Sequence, residues 1–259
     1  MMCFVDSHIH LSDSAYDEYL MLMIGIINNL KIRVYSVSED LESSVKNLNI
    51  KKKYFVNSES FKAFVVIHPQ HASAKLLDSF NDFFLRNTQI IDGIGEIGLD
   101  PTYAINNGSN TIEFQKTVFN HMLSIAEKNN KPVSIHSRRS LKDVLDILTS
   151  YRLKRVVFHW YDGNKSFLRK INEFGYYVSF GPYLLYSEDK KTLLTVSDLS
   201  LLLLETDGPV SYRHCFNNSV TSPVFIISLL NFVSTVLKKN FNDVSEKIFR
   251  NSVDFLNTK

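Results

Sequence analysis

The sequence predicts an α/β protein of the (β/α)8 TIM-barrel class, built as a single domain over residues 1–259. Three observations lead to this prediction. Short apolar runs alternate with longer amphipathic segments, the runs number eight, and the chain has the usual length of a one-domain barrel. An open, doubly wound sheet produces the same local alternation and is the competing architecture.

The eight apolar runs each have the length of a strand that is buried on both faces. They cover residues 2–5, 32–37, 61–67, 90–94, 133–135, 155–158, 176–180 and 201–204. Helical spacing is found at residues 16–30, 72–85, 111–129, 141–150, 166–174, 223–237 and 242–256. This alternation predicts parallel strands that are joined by crossover helices.

Bulk composition is that of a soluble globular protein, with 44% hydrophobic and 22% charged residues. The formal net charge of +2 neither indicates nor excludes a nucleic-acid partner. Cys3 and Cys215 are far apart in sequence, which argues against a disulfide framework and a thiolate zinc site. Signal-peptide and membrane-helix patterns are lacking. We therefore expect a cytoplasmic protein with no membrane partner and no obligate protein partner.

Polar side chains are concentrated where the predicted strands end. Five of the eight histidines lie at such positions, and acidic residues accompany them after the first, fourth and eighth runs. The carboxyl ends of barrel strands converge on one face, so these residues are expected to share a pocket. They include His8, His10, His68, Glu96, Asp100, His136, His159, Glu205 and Asp207.

The residue types at these strand ends indicate a metal centre. His8 and His10 are two apart, so on a strand both imidazoles point to the same side and can reach one ion. Imidazole with carboxylate suits zinc and its neighbours, and carboxylate-rich sites also accept manganese or magnesium. Two divalent metal ions sharing one ligand can be held by His8, His10, Glu96, His136, His159 and Asp207. Such a pair makes hydroxide near neutral pH and stabilises charge on the attacked group.

Several of these residues have a second interpretation. A histidine after a strand can be a hydrogen-bonded core or surface residue, and His68, which precedes a proline, can form a turn or face the pocket. Asp6 and Asp100 can orient ligand imidazoles or cap strand ends. Some metal-dependent hydrolases bridge their two ions with a carboxylated lysine at a strand end. Lys131 precedes its strand, which argues against such a site, and the carboxylate of Glu96 would take the bridging position.

The order of the motifs resembles the TatD family of metal-dependent hydrolases, from residue 5 to about residue 210. The motifs are Val-Asp-Ser-His-Ile-His-Leu, Val-Ile-His-Pro, Gly-Glu-Ile-Gly-Leu-Asp, Ile-His-Ser-Arg, Phe-His-Trp and Glu-Thr-Asp-Gly-Pro. The resemblance implies a TIM barrel of the metal-dependent, amidohydrolase type with a binuclear centre. It assigns His8, His10 and Asp207 to one ion, His136 and His159 to the other, and Glu96 to both or to the boundary between them.

The sequence departs from the family pattern around the ligands. Trp160 and Tyr161 replace the usual Cys-Phe, and Gly208 replaces serine or alanine. Residues 221–223 replace the usual Asn-Glu-Pro element. The ligand set is therefore better supported than the substrate.

The resemblance favours a deoxyribonuclease, with DNA or another phosphodiester as its partner. Asp207 and Glu96 are the expected catalytic carboxylates. Arg138 matches a family position next to a ligand histidine. Arg138, and with it Arg139 or Arg213, is expected to hold flanking phosphates of the substrate. The remaining substrate contacts are expected from His68, Trp160 and Tyr161, the last two stacking on a base. Trp160 has packing against the barrel rim as its alternative.

Two other functions fit the same ligands. Hydrolysis of an ester or amide bond, as in a D-aminoacyl-tRNA deacylase, needs the same hydroxide and Lewis acid. A non-catalytic barrel would retain the ligands by descent.

Overall fold

Eight parallel strands form a nearly closed barrel in the computed structural model, which describes residues 4–56, 58–104 and 110–257. The strands are hydrogen-bonded in sequential order. They are β1 (Phe4–Ile9), β2 (Ile32–Val37), β3 (Phe61–Val65), β4 (Gly93–Gly98), β5 (Val133–His136), β6 (Val156–Phe158), β7 (Tyr177–Phe180) and β8 (Leu202–Leu204). The predicted barrel is confirmed.

Helices alternate with the strands and cover the outside of the barrel. They are α1 (Leu20–Leu30), α2 (Leu41–Tyr54), α3 (Leu77–Asn87), α4 (Ile112–Lys128), α5 (Leu141–Leu148), α6 (Lys165–Glu173), α7 (Glu188–Val196), α8 (Phe225–Val236) and α9 (Phe241–Leu256). Side chains of Asp40, Thr111 and Asn164 cap the starts of α2, α4 and α6. The predicted segments did not include α2 and α7, because both are mostly polar and carry few apolar residues.

Two packed layers hold the barrel together. The larger cluster of buried apolar residues lies between the strands and the helices. The smaller one takes alternate residues from β1, β2, β3, β6, β7 and β8 and joins them to Phe255 of α9. Side chains alternate across a strand, so this second cluster fills the barrel interior. No helix in the described ranges is long and apolar enough to cross a membrane.

The strand boundaries depart from prediction most where polar residues lie inside strands. The first strand, predicted at 2–5, extends to Ile9, so His8 lies within it. The fourth, predicted at 90–94, spans Gly93–Gly98 and contains Glu96. The apolar criterion stopped at the first polar residues, although backbone pairing continues past them. Residues 2 and 3, including Cys3, lie outside the described residues.

Two helices begin later than predicted because tighter turns precede them. The segments predicted at 16–30 and 72–85 begin as α-helix at Leu20 and Leu77. Short 3-10 turns lie before them, at Ser14–Tyr16, Pro69–His71 and Ala74–Leu76. The remaining predicted strands differ from the structure by at most two residues at either end.

The first and last strands are joined by hydrogen bonds at their carboxyl ends. The Asp207 N–H donates to the His8 carbonyl at 2.9 Å, and the His10 N–H donates to the Gly208 carbonyl at 2.7 Å. Asp6 accepts from the backbone N–H of Thr206 at 2.9 Å and also from its hydroxyl. Asp6 therefore fixes the end of β8 rather than orienting an imidazole.

Candidate metal centre

The six predicted ligands meet at the carboxyl ends of the barrel strands. Five strands and the residues that follow them contribute these side chains. They are His8 in β1 and His10 just after it, Glu96 in β4, His136 at the end of β5, His159 after β6 and Asp207 after β8. Residues separated by most of the chain thus face one another across the barrel mouth, as expected for strand ends of this fold.

The first donor group consists of His8, His10, Asp207 and one oxygen of Glu96. His8 Nε2 lies 3.2 Å from His10 Nε2, 3.6 Å from Asp207 Oδ1 and 3.4 Å from Glu96 Oε2. His10 Nε2 lies 3.4 Å from Asp207 Oδ1 and 3.7 Å from Glu96 Oε2. Ligands at about 2.0–2.2 Å from a tetrahedral ion are about 3.3–3.6 Å apart. The spacing of this group therefore fits a metal ion.

The second donor group lies on the other oxygen of Glu96. Glu96 Oε1 contacts both His136 Nδ1 and His159 Nε2. These two nitrogens are 3.5 Å apart, again the spacing of neighbouring ligands. Because its two oxygens face different groups, the Glu96 carboxylate can bridge two ions.

Electrostatics make these donors attractive to positive charge. Burial opposes ionisation of Glu96, yet the imidazoles of His159 and His136 hold its pKa well below the usual range. Burial also opposes protonation of His10, but the Asp207 carboxylate outweighs it and raises the pKa of His10 to about 9. The Glu96 carboxylate is thus charged, and a divalent cation bound here would displace protons from imidazoles.

Further polar groups orient the imidazoles. His136 Nε2 donates to Asp100 Oδ2 at 2.9 Å, which leaves Nδ1 facing the second donor group. Asp100 also accepts from the Thr102 N–H at 2.8 Å, so it both orients an imidazole and caps a turn. His8 Nδ1 lies 3.2 Å from the hydroxyl of Ser134 on β5. Sequence reasoning missed Ser134, although its position two residues before His136 on a strand points it to the same side.

His68 reaches the site in a defined protonation state. Its Nδ1 accepts from the Gln70 N–H at 3.2 Å, and its pKa is lowered by burial, so the neutral ring carries its proton on Nε2. Nε2 lies 3.6 Å from Glu96 Oε1. A protonated nitrogen has no lone pair for a metal. His68 is therefore placed as a hydrogen-bond donor beside the second donor group.

The predicted substrate-binding residues differ in their exposure to solvent. Arg138 is exposed near the mouth, and Trp160 is partly buried with its ring stacked on Tyr212 at 5.6 Å between centroids. Tyr161 is only 1% exposed, and its hydroxyl donates to the Asn164 carbonyl. The expectation that Tyr161 stacks on a base is wrong, because its ring is part of the core.

The chain is similar to known proteins over most of its length. The family model described as TatD related DNase matches residues 5–257. A protein of Methanocaldococcus jannaschii, described as an uncharacterised metal-dependent hydrolase, is 24% identical over 254 residues, covering 97% of this chain and 96% of its own. A deoxyribonuclease of Homo sapiens is 25% identical over 219 residues, covering 79% of this chain and 77% of that protein.

Solved structures show the same fold. A TatD family hydrolase from Entamoeba histolytica superposes with a TM-score of 0.86 at 18% identity, with 99% of each chain covered. A TatD homologue from Escherichia coli gives 0.86 at 19% identity, covering 99% of this chain and 98% of its own. With a family match that spans nearly the whole sequence and a buried His, Glu and Asp cluster able to hold metal, the chain belongs to the TatD family of metal-dependent hydrolases.

Proposed function

We propose that this protein is a deoxyribonuclease that hydrolyses phosphodiester bonds with two divalent metal ions. The observation that carries the proposal is the Glu96 carboxylate, whose two oxygens face two separate sets of donors. Phosphodiester hydrolysis is a reaction for which paired ions are widely used. The similarity to a human deoxyribonuclease supports the choice of DNA over other substrates.

The ions are assigned to the two donor groups. One would be held by His8, His10 and Asp207 and the other by His136 and His159, and Glu96 could contribute an oxygen to each. Bound there, the ions supply Lewis-acid charge and a hydroxide near neutral pH. Of zinc, manganese and magnesium, zinc is favoured, because four imidazoles suit it better than the other two ions.

Asp207 is proposed to accept the proton of the attacking water. Its backbone is in the left-handed region, with φ of 51°, and is tied to β1 by the bond from its N–H to the His8 carbonyl. Non-glycine residues rarely adopt this conformation, and functional sites are where it is often found. It aims the carboxylate at the imidazoles of His8 and His10, with Oδ1 nearest to them. The second oxygen is left for proton transfer.

Substrate contacts are proposed for three further residues. His68 donates from Nε2 to a non-bridging oxygen of the scissile phosphate, where negative charge grows during the reaction. Arg138 holds a flanking phosphate from its exposed position, as guanidinium groups commonly do. Trp160 offers the outer part of its ring to a base, while Tyr212 supports the inner face.

The test is a substrate comparison with metal-loaded protein. Labelled single-stranded DNA, a charged D-aminoacyl-tRNA and a panel of phenyl esters are assayed with wild type and Asp207→Asn, and metal is counted by elemental analysis. Asp82→Asn, at an exposed position on α3, is the matched control. We expect near two ions per chain and DNA cleavage that falls by orders of magnitude in Asp207→Asn alone. Hydrolysis of the tRNA or the esters without DNA cleavage would refute the nuclease. Inactivity on every substrate would favour a non-catalytic barrel.

A further inference from the structure

A further buried carboxylate, Glu205, lies directly after β8 and is fully excluded from solvent. A buried charge is costly unless it is paired and hydrogen-bonded. Oε1 accepts a 2.6 Å hydrogen bond from the Trp160 N–H, and Oε2 accepts from the hydroxyl of Ser179 on β7. Oε1 also lies 3.7 Å from His159 Nδ1. Glu205 thus connects the carboxyl ends of β6, β7 and β8.

Glu205 faces the ring nitrogen of His159 that points away from the donor group. His159 Nε2 contacts Glu96, whereas the buried Nδ1 has no hydrogen-bond partner among the described residues. A carboxylate near that nitrogen favours a proton on Nδ1 and leaves the lone pair of Nε2 for a metal. Both oxygens of Glu205 already accept from N–H or O–H groups, so a supporting role fits it better than ligation.

The same carboxylate fixes the backbone of Trp160. This residue has φ of 41°, in the left-handed region that non-glycine residues rarely adopt. Its N–H points at Glu205 in that conformation, and its ring stacks on Tyr212. The Tyr212 hydroxyl donates to the carbonyl of Thr206, next to Glu205, at 2.8 Å. The orientation of His159 and the placement of Trp160 therefore depend on one side chain.

We propose that Glu205 is a positioning residue that couples metal binding at His159 to the placement of Trp160. The inference rests on the metal centre proposed above. A cation on Nε2 would make the imidazole more positive and would strengthen its attraction for Glu205. The Glu205 carboxylate accepts a hydrogen bond from the Trp160 N–H, so a shift of the carboxylate changes the placement of the tryptophan ring. Base stacking and metal occupancy are then linked.

The chain has a built-in probe for this coupling, because Trp160 is its only tryptophan. Metal-free protein is titrated with zinc against a competing chelator dye while tryptophan emission is recorded. Glu205→Gln keeps the size of the side chain and an acceptor for the Trp160 N–H but removes the charge. Ser179→Ala removes one hydrogen bond to the same carboxylate and keeps the charge, which makes it the matched control. Circular dichroism and thermal unfolding monitor the fold of each variant.

We expect two zinc ions and a change of emission in wild type and in Ser179→Ala. In Glu205→Gln the affinity for one ion should fall about 10–100-fold, as for other carboxylates that orient a ligand imidazole, and the emission change should be lost. If Glu205→Gln does not fold, Glu205→Asp retains the charge but withdraws it from Nδ1, and the same weakening of one ion is expected.

Two results would overturn the coupling alone. One is wild-type affinity and emission change in the folded Glu205 variant. The other is complete loss of one ion in Glu205→Gln, which would make Glu205 a ligand. Absence of zinc binding by the wild type would overturn the proposed metal centre as well, so the two failures are distinguishable.

Discussion

The hydroxyl of Tyr16 occupies the space in which a side chain at position 208 would begin. A Cβ placed on Gly208 would lie 2.0 Å from that oxygen, far inside van der Waals contact. The hydroxyl donates a 2.5 Å hydrogen bond to the Thr221 carbonyl, and the tyrosine is fully buried. This packing accounts for glycine at a position where the TatD pattern usually has serine or alanine. Gly208 also directly follows Asp207 in the sequence.

Exchange of Gly208 for alanine should therefore destabilise the fold by about 1–3 kcal/mol, the usual range for overpacking. Tyr16→Phe should cost about 1–3 kcal/mol, because the buried Thr221 carbonyl loses its partner. In the double variant the methyl group takes the space of the missing hydroxyl, so its cost should be smaller than the sum. Urea unfolding of the four proteins measures this coupling. Strict additivity would show that the two residues do not compete for the same space.

Metal should stabilise the folded chain as well as activate it. Zinc that binds the native but not the unfolded protein raises the unfolding free energy by about 2.7 kcal/mol at a hundredfold excess over Kd. Thermal unfolding with zinc and with chelator should show this difference in wild type. His10→Ala should reduce it, since one donor of the first group is lost. His121→Ala is the control, because that imidazole contacts Asn81 on the outer helices. An equal reduction in both variants would mean that the effect is nonspecific.

His68→Phe separates hydrogen-bond donation from metal ligation. Because Nε2 carries the proton, the variant should retain two ions per chain. It should lose kcat by about 10²–10³-fold, as when one donor to a developing anion is removed. Steady-state kinetics on DNA and elemental analysis provide the two readings. A drop to one ion would identify His68 as a ligand and contradict the tautomer inferred from the Gln70 contact.

The stability of the metal-free protein should depend on pH through Asp6. Burial raises the pKa of this carboxyl to about 8, against the opposing hydrogen bonds from Thr206. The folded state therefore holds a proton that the unfolded state releases near pH 4, and stability falls as pH rises from about 4 to about 8.

Asp6→Asn cannot titrate and keeps a carbonyl oxygen for the Thr206 N–H. In chelator, the unfolding free energy of wild type should decline relative to this variant by at most about 1.4 kcal/mol per pH unit in that window. Urea unfolding at several pH values gives the difference. A constant difference would show that Asp6 is ionised in the folded chain.

The clustering of the candidate metal donors could be predicted from sequence because two simple signals coincide. The apolar runs end two or three residues before His8, Glu96 and Asp207, and barrel topology brings all strand ends together. The positions of Trp160 and Tyr161 could not be predicted in this way. A left-handed non-glycine residue at 160 breaks the strand alternation, so Trp160 lies at the rim while Tyr161 turns into the core. The role of Glu205 was also hidden, because it depends on how the barrel places the Trp160 N–H and the His159 imidazole beside it.

The hydrogen bonds between β1 and β8 join parts of the chain that lie about 200 residues apart. In the proposed centre, His8 and Asp207 hold the same ion at this seam. A bound ion would therefore link the two ends of this segment of about 200 residues and close it into one loop. Because the ion binds the folded chain and not the unfolded one, this link stabilises the closed barrel without restricting the unfolded chain, which distinguishes it from a disulfide across a long loop. Metal release would loosen the barrel first at the junction of β1 and β8, where Asp207 lies.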